Sequence, residues 1–141
     1  MKIERFEDVQ GWQAGRVLAK MVYEVTNKGD FTRDFKLRDQ IRDAAVSAMA
    51  NIAEGFDAGS DAEFVRFLGY SRRSASEVQS HLYIALDQGY ITQKEFDAIY
   101  DKAIETKRLI GGFIRYLKSS PRSGSLKSQV EKSQVLSHRA L

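Results

Sequence analysis

Along the chain, apolar residues recur every three or four positions through four stretches, and the pattern ends at the single proline, Pro121. This is the period of helices with one buried face, and no stretch alternates as a strand would. The first stretch predicts a helix from about Asp8 to Thr26, with Val9, Trp12, Arg16, Ala19, Val22 or Tyr23, and Thr26 on one stripe. Asp8 is its expected N-cap, and Asn27-Lys28-Gly29-Asp30 reads as a stop and a loop. The second helix starts near Asp34, carries Leu37, Ile41, Ala44-Ala45, Ala48 and Ile52, and ends around Gly55. Its small-residue centre, Ala44 to Ala50, lets a neighbouring helix approach closely. The third is capped by Ser60 or Asp61, with Glu63 at capping-box spacing from Ser60, and runs through Phe64, Leu68, Ala75, Val78 and Leu82 to a stop at Gly89. The capping box Thr92-Gln93-Lys94-Glu95 opens the fourth, which continues through Phe96, Ile99, Ala103, Ile110 and Phe113 to Leu117. Four helices of ~20–28 residues joined by short connections predict an all-α, antiparallel up-down four-helix bundle over residues 1–118.

Beyond the bundle, residues 119–141 turn serine-rich and basic, which predicts a flexible tail or one that becomes helical on a partner through Leu126, Val130 and Leu136. That division changes the meaning of the charge. The pI is about 9.2, yet Lys118, Arg122, Lys127, Lys132 and Arg139 against Glu131 leave residues 118–141 at net +4. Residues 1–117, with 17 basic and 18 acidic side chains, carry net −1. At 141 residues and 43% hydrophobic the chain has the size of one domain with a real core. No apolar run reaches the ~20 residues of a bilayer span. Acidic residues Glu4, Glu7 and Asp8 stand where a signal peptide would be apolar, so a soluble cytoplasmic protein is expected.

Candidate chemistry is narrow. Without cysteine, disulfides, thiolate metal sites and thiol nucleophiles are excluded. A bundle core that holds two metals needs two Glu-x-x-His pairs. Here only His81, four residues after Glu77, lies within the bundle, since His138 falls in the tail. A mononuclear site from Glu54, Glu77 and His81 lacks any ligand motif; His81 is expected instead to be partly exposed and hydrogen-bonded to a neighbouring helix. No nucleophile elbow or phosphate loop occurs, and Gly111-Gly112 reads as room for a helix crossing or a bend. The expectation is a protein that is not an enzyme and carries no cofactor.

Two constellations remain. Asn51 and Glu54 are three apart on the second helix, as are Ser74 and Glu77 on the third, a spacing that suits a hydrogen-bonded network fixing the register of that pair. Basic residues cluster as Arg38 and Arg42 with Lys36, as Arg66, Arg72 and Arg73, and as Lys107, Arg108 and Arg115. Phosphate binding needs such residues to converge on one surface, although Asp39, Asp43, Asp61 and Glu63 are interleaved with them.

Three stretches carry a resemblance: Phe6-Glu7-Asp8-Val9-Gln10-Gly11-Trp12-Gln13-Ala14; Leu37 to Ser47 running into Asn51-Ile52-Ala53-Glu54-Gly55-Phe56; and Glu63-Phe64-Val65-Arg66-Phe67-Leu68 through Ser74 and Glu77 to Gly89-Tyr90-Ile91. Over roughly residues 3–117 the chain resembles the bacterial four-helix-bundle proteins encoded in 23S rRNA intervening sequences. The accessory variability determinant of diversity-generating retroelements, which binds nucleic acid and a reverse transcriptase, is a relative of that family. The resemblance implies a ring-shaped homopentamer and a role in RNA binding. Asp43, Ala48-Met49 and Asp57-Ala58 depart from the family's pattern, two of them at places where it often has a basic residue. The expected function is a non-catalytic, homo-oligomeric nucleic-acid-binding or RNA-accessory protein, with partners in itself and in RNA or DNA and no membrane. The alternative is a scaffold that docks a partner protein such as a reverse transcriptase.

Overall fold

The computed structural model describes residues 3–119, so the tail expected from Ser119 onward lies outside the described residues except for Ser119 itself. Four helices fill that span, with no strand among the described residues: α1 Gln10–Thr26, α2 Phe35–Phe56, α3 Asp61–Asp87 and α4 Gln93–Ser119. Short 3-10 turns, Phe6–Asp8 and Gly29–Arg33, precede α1 and α2.

Local chemistry sets most of the boundaries. The Asp34 carboxylate accepts from the Leu37 N–H at 3.1 Å and Ser60 Oγ accepts from the Glu63 N–H at 3.2 Å, which starts α2 and α3. At α4 the box closes in both directions: Thr92 Oγ1 accepts from the Glu95 N–H at 3.1 Å, and Glu95 Oε1 accepts from the Thr92 N–H at 2.9 Å. The expected box at α3 is only half made, because the Glu63 carboxylate turns to Arg66. Gly89, at φ 74°, ends α3 with Tyr90 N–H donating to the Ala85 carbonyl and Gly89 N–H to that of Leu86. Asp8 is not the cap of α1. Its carboxylate accepts from the Glu4 and Arg5 N–H groups, closing the preceding turn, and Val9 takes the cap position.

Each helix packs on its two neighbours, α1 on α2 and α4, and α3 on α2 and α4. Their registers run antiparallel. Gly11 faces Ile52 and Gly15 faces Met49, while Gly55 faces Phe64 and Ala48 lies against Ser71. The buried stripe of α1 is Gly11, Ala14, Gly15, Leu18, Ala19, Val22, Val25 and Thr26. The stripe expected from periodicity therefore stands off by part of a turn, with Arg16 and Tyr23 exposed and Trp12 half-buried. The cause is glycine: Gly11 and Gly15 present a flat surface for close helix approach that a count of apolar side chains does not register.

Two apolar clusters fill the bundle. One surrounds Leu18, Phe31, Ile41, Leu82 and Ile99, and the other surrounds Ile52, Phe64, Leu68, Ile110 and Phe113. Between them lies a waist of small and polar residues (Gly15, Ala48, Ser71, Ala75 and Thr106), all buried. Among the described residues no helix is long and apolar enough to cross a membrane.

Candidate functional site

The basic side chains divide by what already occupies them. Arg42 is consumed internally: Nε donates to Thr26 Oγ1 and Nη2 to Asn27 Oδ1, both at 2.8 Å, and its guanidinium lies 4.6 Å from the Tyr23 ring centroid. Arg38 donates to Asp39 at 3.0 Å and to the Thr32 carbonyl at 3.1 Å, over the Phe35 ring. These two fasten the α1–α2 connection to the start of α2. Arg66 makes a fork with Glu63, Nε to Oε1 at 2.9 Å and Nη2 to Oε2 at 3.1 Å. That hydrogen bonding, with the carboxylate's charge, raises the Arg66 pKa above its already high ordinary value. Arg73 folds onto the Tyr70 ring, 5.0 Å from its centroid.

Arg72, Lys107, Arg108 and Arg115 behave differently. Arg72, Lys107 and Arg115 gather along the seam between α3 and α4, Arg108 is exposed on the outer face of α4, and none of the four has a carboxylate partner among the described residues. Lys107 Nζ donates to the neutral Gln79 Oε1 across the seam at 3.0 Å. One turn toward the C-terminus lies Gly111, and a Cβ built there would stand 3.2 Å from Arg72 Nη1 and 3.6 Å from Arg115 Nη1. Gly112 meets the other arm of the same arginine, Arg115 Nη2, at 3.7 Å. The glycine pair is therefore covered by guanidinium groups, not by the backbone of a crossing helix. Arg108 and Arg115 are seven residues apart, two turns along one stripe of α4, with the glycines between them. From Thr106 to Ser119 α4 has no acidic residue.

The polar contact between α2 and α3 takes in two of the four residues expected, Asn51 and Ser74, and leaves out Glu54 and Glu77. Ser47 is its centre. Its hydroxyl accepts from Ser74 Oγ at 3.0 Å across the helix pair and from Asn51 Nδ2 at 2.8 Å within α2. Ser71 Oγ donates to the Ala48 carbonyl one turn away. Glu54 and Glu77 are exposed and stand outside this contact, because carboxylates placed there would lose their hydration without a cationic partner. Ser47 and Ser71 carried a signal in the sequence, being small polar residues within the apolar repeat.

Glu77 and His81 line an open groove of about 370 Å³ between α2 and α3 with Gln40, Asp43, Ala44 and Ser47. Glu54 is not among the groove's residues. His81 Nδ1 is buried without a hydrogen-bond partner, in place of the expected bond to a neighbouring helix. Among the described residues no group of three His, Asp or Glu side chains is placed to hold a metal ion.

Two titrating groups hold the end of the bundle remote from the arginine seam. The Lys28 ammonium, at 2.7 Å, and then the Thr92 N–H lower the Glu95 pKa. The Tyr90 hydroxyl donates to Asp34 at 2.9 Å, which raises the Tyr90 pKa.

A family model described as 23S rRNA-intervening sequence protein matches residues 7–112. Among solved structures the chain is similar to a protein from Bacteroides thetaiotaomicron VPI-5482, described as a protein with unknown function from the S23 ribosomal protein family. The TM-score is 0.68 at 23% identity, over 74% of this chain and 98% of that one. No curated protein matches this sequence.

Proposed function

The chain belongs to the 23S rRNA-intervening sequence protein family, and on that premise we propose that it is a non-catalytic, homo-oligomeric protein that binds RNA through the α3–α4 seam. One observation carries the reading: Arg72, Lys107 and Arg115 meet at the seam, with Arg108 exposed beside them on α4, and none has a carboxylate partner among the described residues, while Arg38, Arg42 and Arg66 are held by partners of their own. A surface of this kind takes up phosphates and releases their counter-ions, whatever the sequence of the nucleic acid. The family's description, which names an rRNA, supports RNA as the polyanion; the proposed place of action is the cytoplasm.

The assembly we propose is a ring-shaped homopentamer. Val17, Val46, Tyr83, Ile84 and Ile104 are each 42–51% exposed, which gives all four helices apolar surface for contact between copies. A ring repeats the seam in every copy and sums its field, so a body of nearly neutral net charge still presents a basic surface.

The test is binding of the intact, full-length oligomer to structured RNA and to duplex DNA over a salt series, read by fluorescence anisotropy. Affinity for RNA is expected to fall linearly in log–log form as salt rises. Absence of RNA binding at low salt overturns the proposal. A second reading, a scaffold that docks a partner protein, is favoured by Phe35, which is 63% exposed at the start of α2. Recovery of one stoichiometric protein partner, unaffected by nuclease, would select it.

A further inference from the structure

We infer that Arg72 and Arg115, lying over the Gly111–Gly112 floor, form a discrete clamp for a single phosphate group of an RNA backbone; this rests on the RNA-binding reading above. Three observations converge on it. The first is position: Arg72 Nη1 and Arg115 Nη1, from different helices, lie within 3.6 Å of one point, the place a Cβ on Gly111 would occupy. The two nitrogens are thus close enough for one phosphate, seated on their solvent side, to accept from both guanidiniums, each of which presents a planar fork of N–H donors.

The second observation is the missing counter-charge. Two guanidiniums held side by side repel each other. Where this chain uses an arginine structurally it supplies a partner, Glu63 for Arg66 or Thr26 and Asn27 for Arg42. It supplies none for Arg72 or Arg115 among the described residues. An anion seated between them removes the repulsion, and Arg108 on the same stripe adds to the field.

The third is the glycine pair itself. Two consecutive glycines inside a 27-residue helix disfavour that helix relative to alanine. No crossing backbone requires them, since their neighbours are guanidinium nitrogens alone. What the pair supplies is room for Arg72 to reach across and lie on α4, and a Cβ at Gly111, 3.2 Å from Arg72 Nη1, would press that guanidinium outward.

The experiment uses the full chain, its Gly111→Ala variant and its Arg72→Lys variant. One arm titrates inorganic phosphate at constant ionic strength, with chloride as the control, and follows the Nε–Hε resonances of Arg72 and Arg115. The other measures RNA affinity. The clamp predicts that both resonances shift together and saturably with phosphate, and that Gly111→Ala weakens this response. It also predicts that either substitution weakens RNA binding about tenfold, although neither changes the charge. The Gly111→Ala protein should melt no lower than the parent, which separates lost binding from lost folding. Equal RNA affinity in all three proteins, with resonances that phosphate does not move, overturns the clamp and leaves the RNA reading standing. Saturable shifts with phosphate in a protein that binds no RNA keep the oxyanion site and overturn the RNA reading. Should Gly111→Ala fail to fold, Arg72→Lys decides alone: unchanged phosphate shifts and unchanged RNA affinity overturn the clamp.

Discussion

At Gly55 a Cβ would stand 2.7 Å from Phe64 Cδ1 and 2.8 Å from Phe67 Cβ, inside the α2–α3 contact. Gly55→Ala is therefore expected to destabilise the bundle by about 1–3 kcal/mol through overpacking, more than the ~1 kcal/mol gained from helix propensity. At Gly111 the neighbours are the mobile ends of arginines, so Gly111→Ala should leave stability unchanged or raise it by up to ~1 kcal/mol. Chemical denaturation of the two variants reads this difference of sign. Nothing in the sequence separates these glycines, since each lies in a helical repeat and only the packing shows what a methyl group would meet. The polar seam taught the same lesson. Asn51 and Ser74 were legible as members of it, but a spacing of three residues defines a face and not which flank of that face is buried. Ser47 and Ser71 took the place given to Glu54 and Glu77. Replacing Ser47 by alanine removes the acceptor of the Ser74 hydroxyl, at an expected cost of about 1–2 kcal/mol in the same measurement.

Among the elements, the helix starts that depend on a side-chain oxygen could be read directly, as Asp34, Ser60 and Thr92 show. Thr92→Ala should lower stability by about 1 kcal/mol, because it opens a box that is closed in both directions. Glu95, the other half of that box, adds a dependence on pH. Its pKa is lower in the folded protein than in the unfolded chain, so its contribution is fully present above the unfolded value and is lost as pH falls through the folded one. Thermal melts from neutral to acidic pH should therefore lose stability more steeply in the parent than in Glu95→Gln. Parallel curves would show that the Lys28 and Thr92 contacts do not bias the carboxylate. The start of α1 departs from the pattern for a physical reason: Asp8 does accept backbone N–H groups, but those of the turn before it. The α1 stripe was misplaced because its closest contacts are made by Gly11 and Gly15.

At the scale of the whole molecule, the bundle's up-down order followed from four long apolar repeats and short connections, since neighbouring helices so joined can only run antiparallel. The division of the core into two clusters about a polar waist was not legible, because it depends on which small residues of different helices meet at one level. The basic surface was half legible. Every member of the seam was identifiable as basic, but which arginines already have partners is settled only by the fold. Light scattering on the full chain should give five times the 16.0 kDa chain mass if the ring forms, and the mass of a monomer would remove the summed field from the account. The central claim, that the α3–α4 seam binds RNA, is tested most directly by the salt dependence of RNA affinity in a full-chain variant with Arg72, Lys107, Arg108 and Arg115 all changed to alanine. The log–log salt slope should lose a magnitude of roughly 3, and affinity at low salt should fall at least about a hundredfold, while Arg66→Ala stays within about twofold of the parent. A quadruple variant with the parent's slope and affinity would contradict the account.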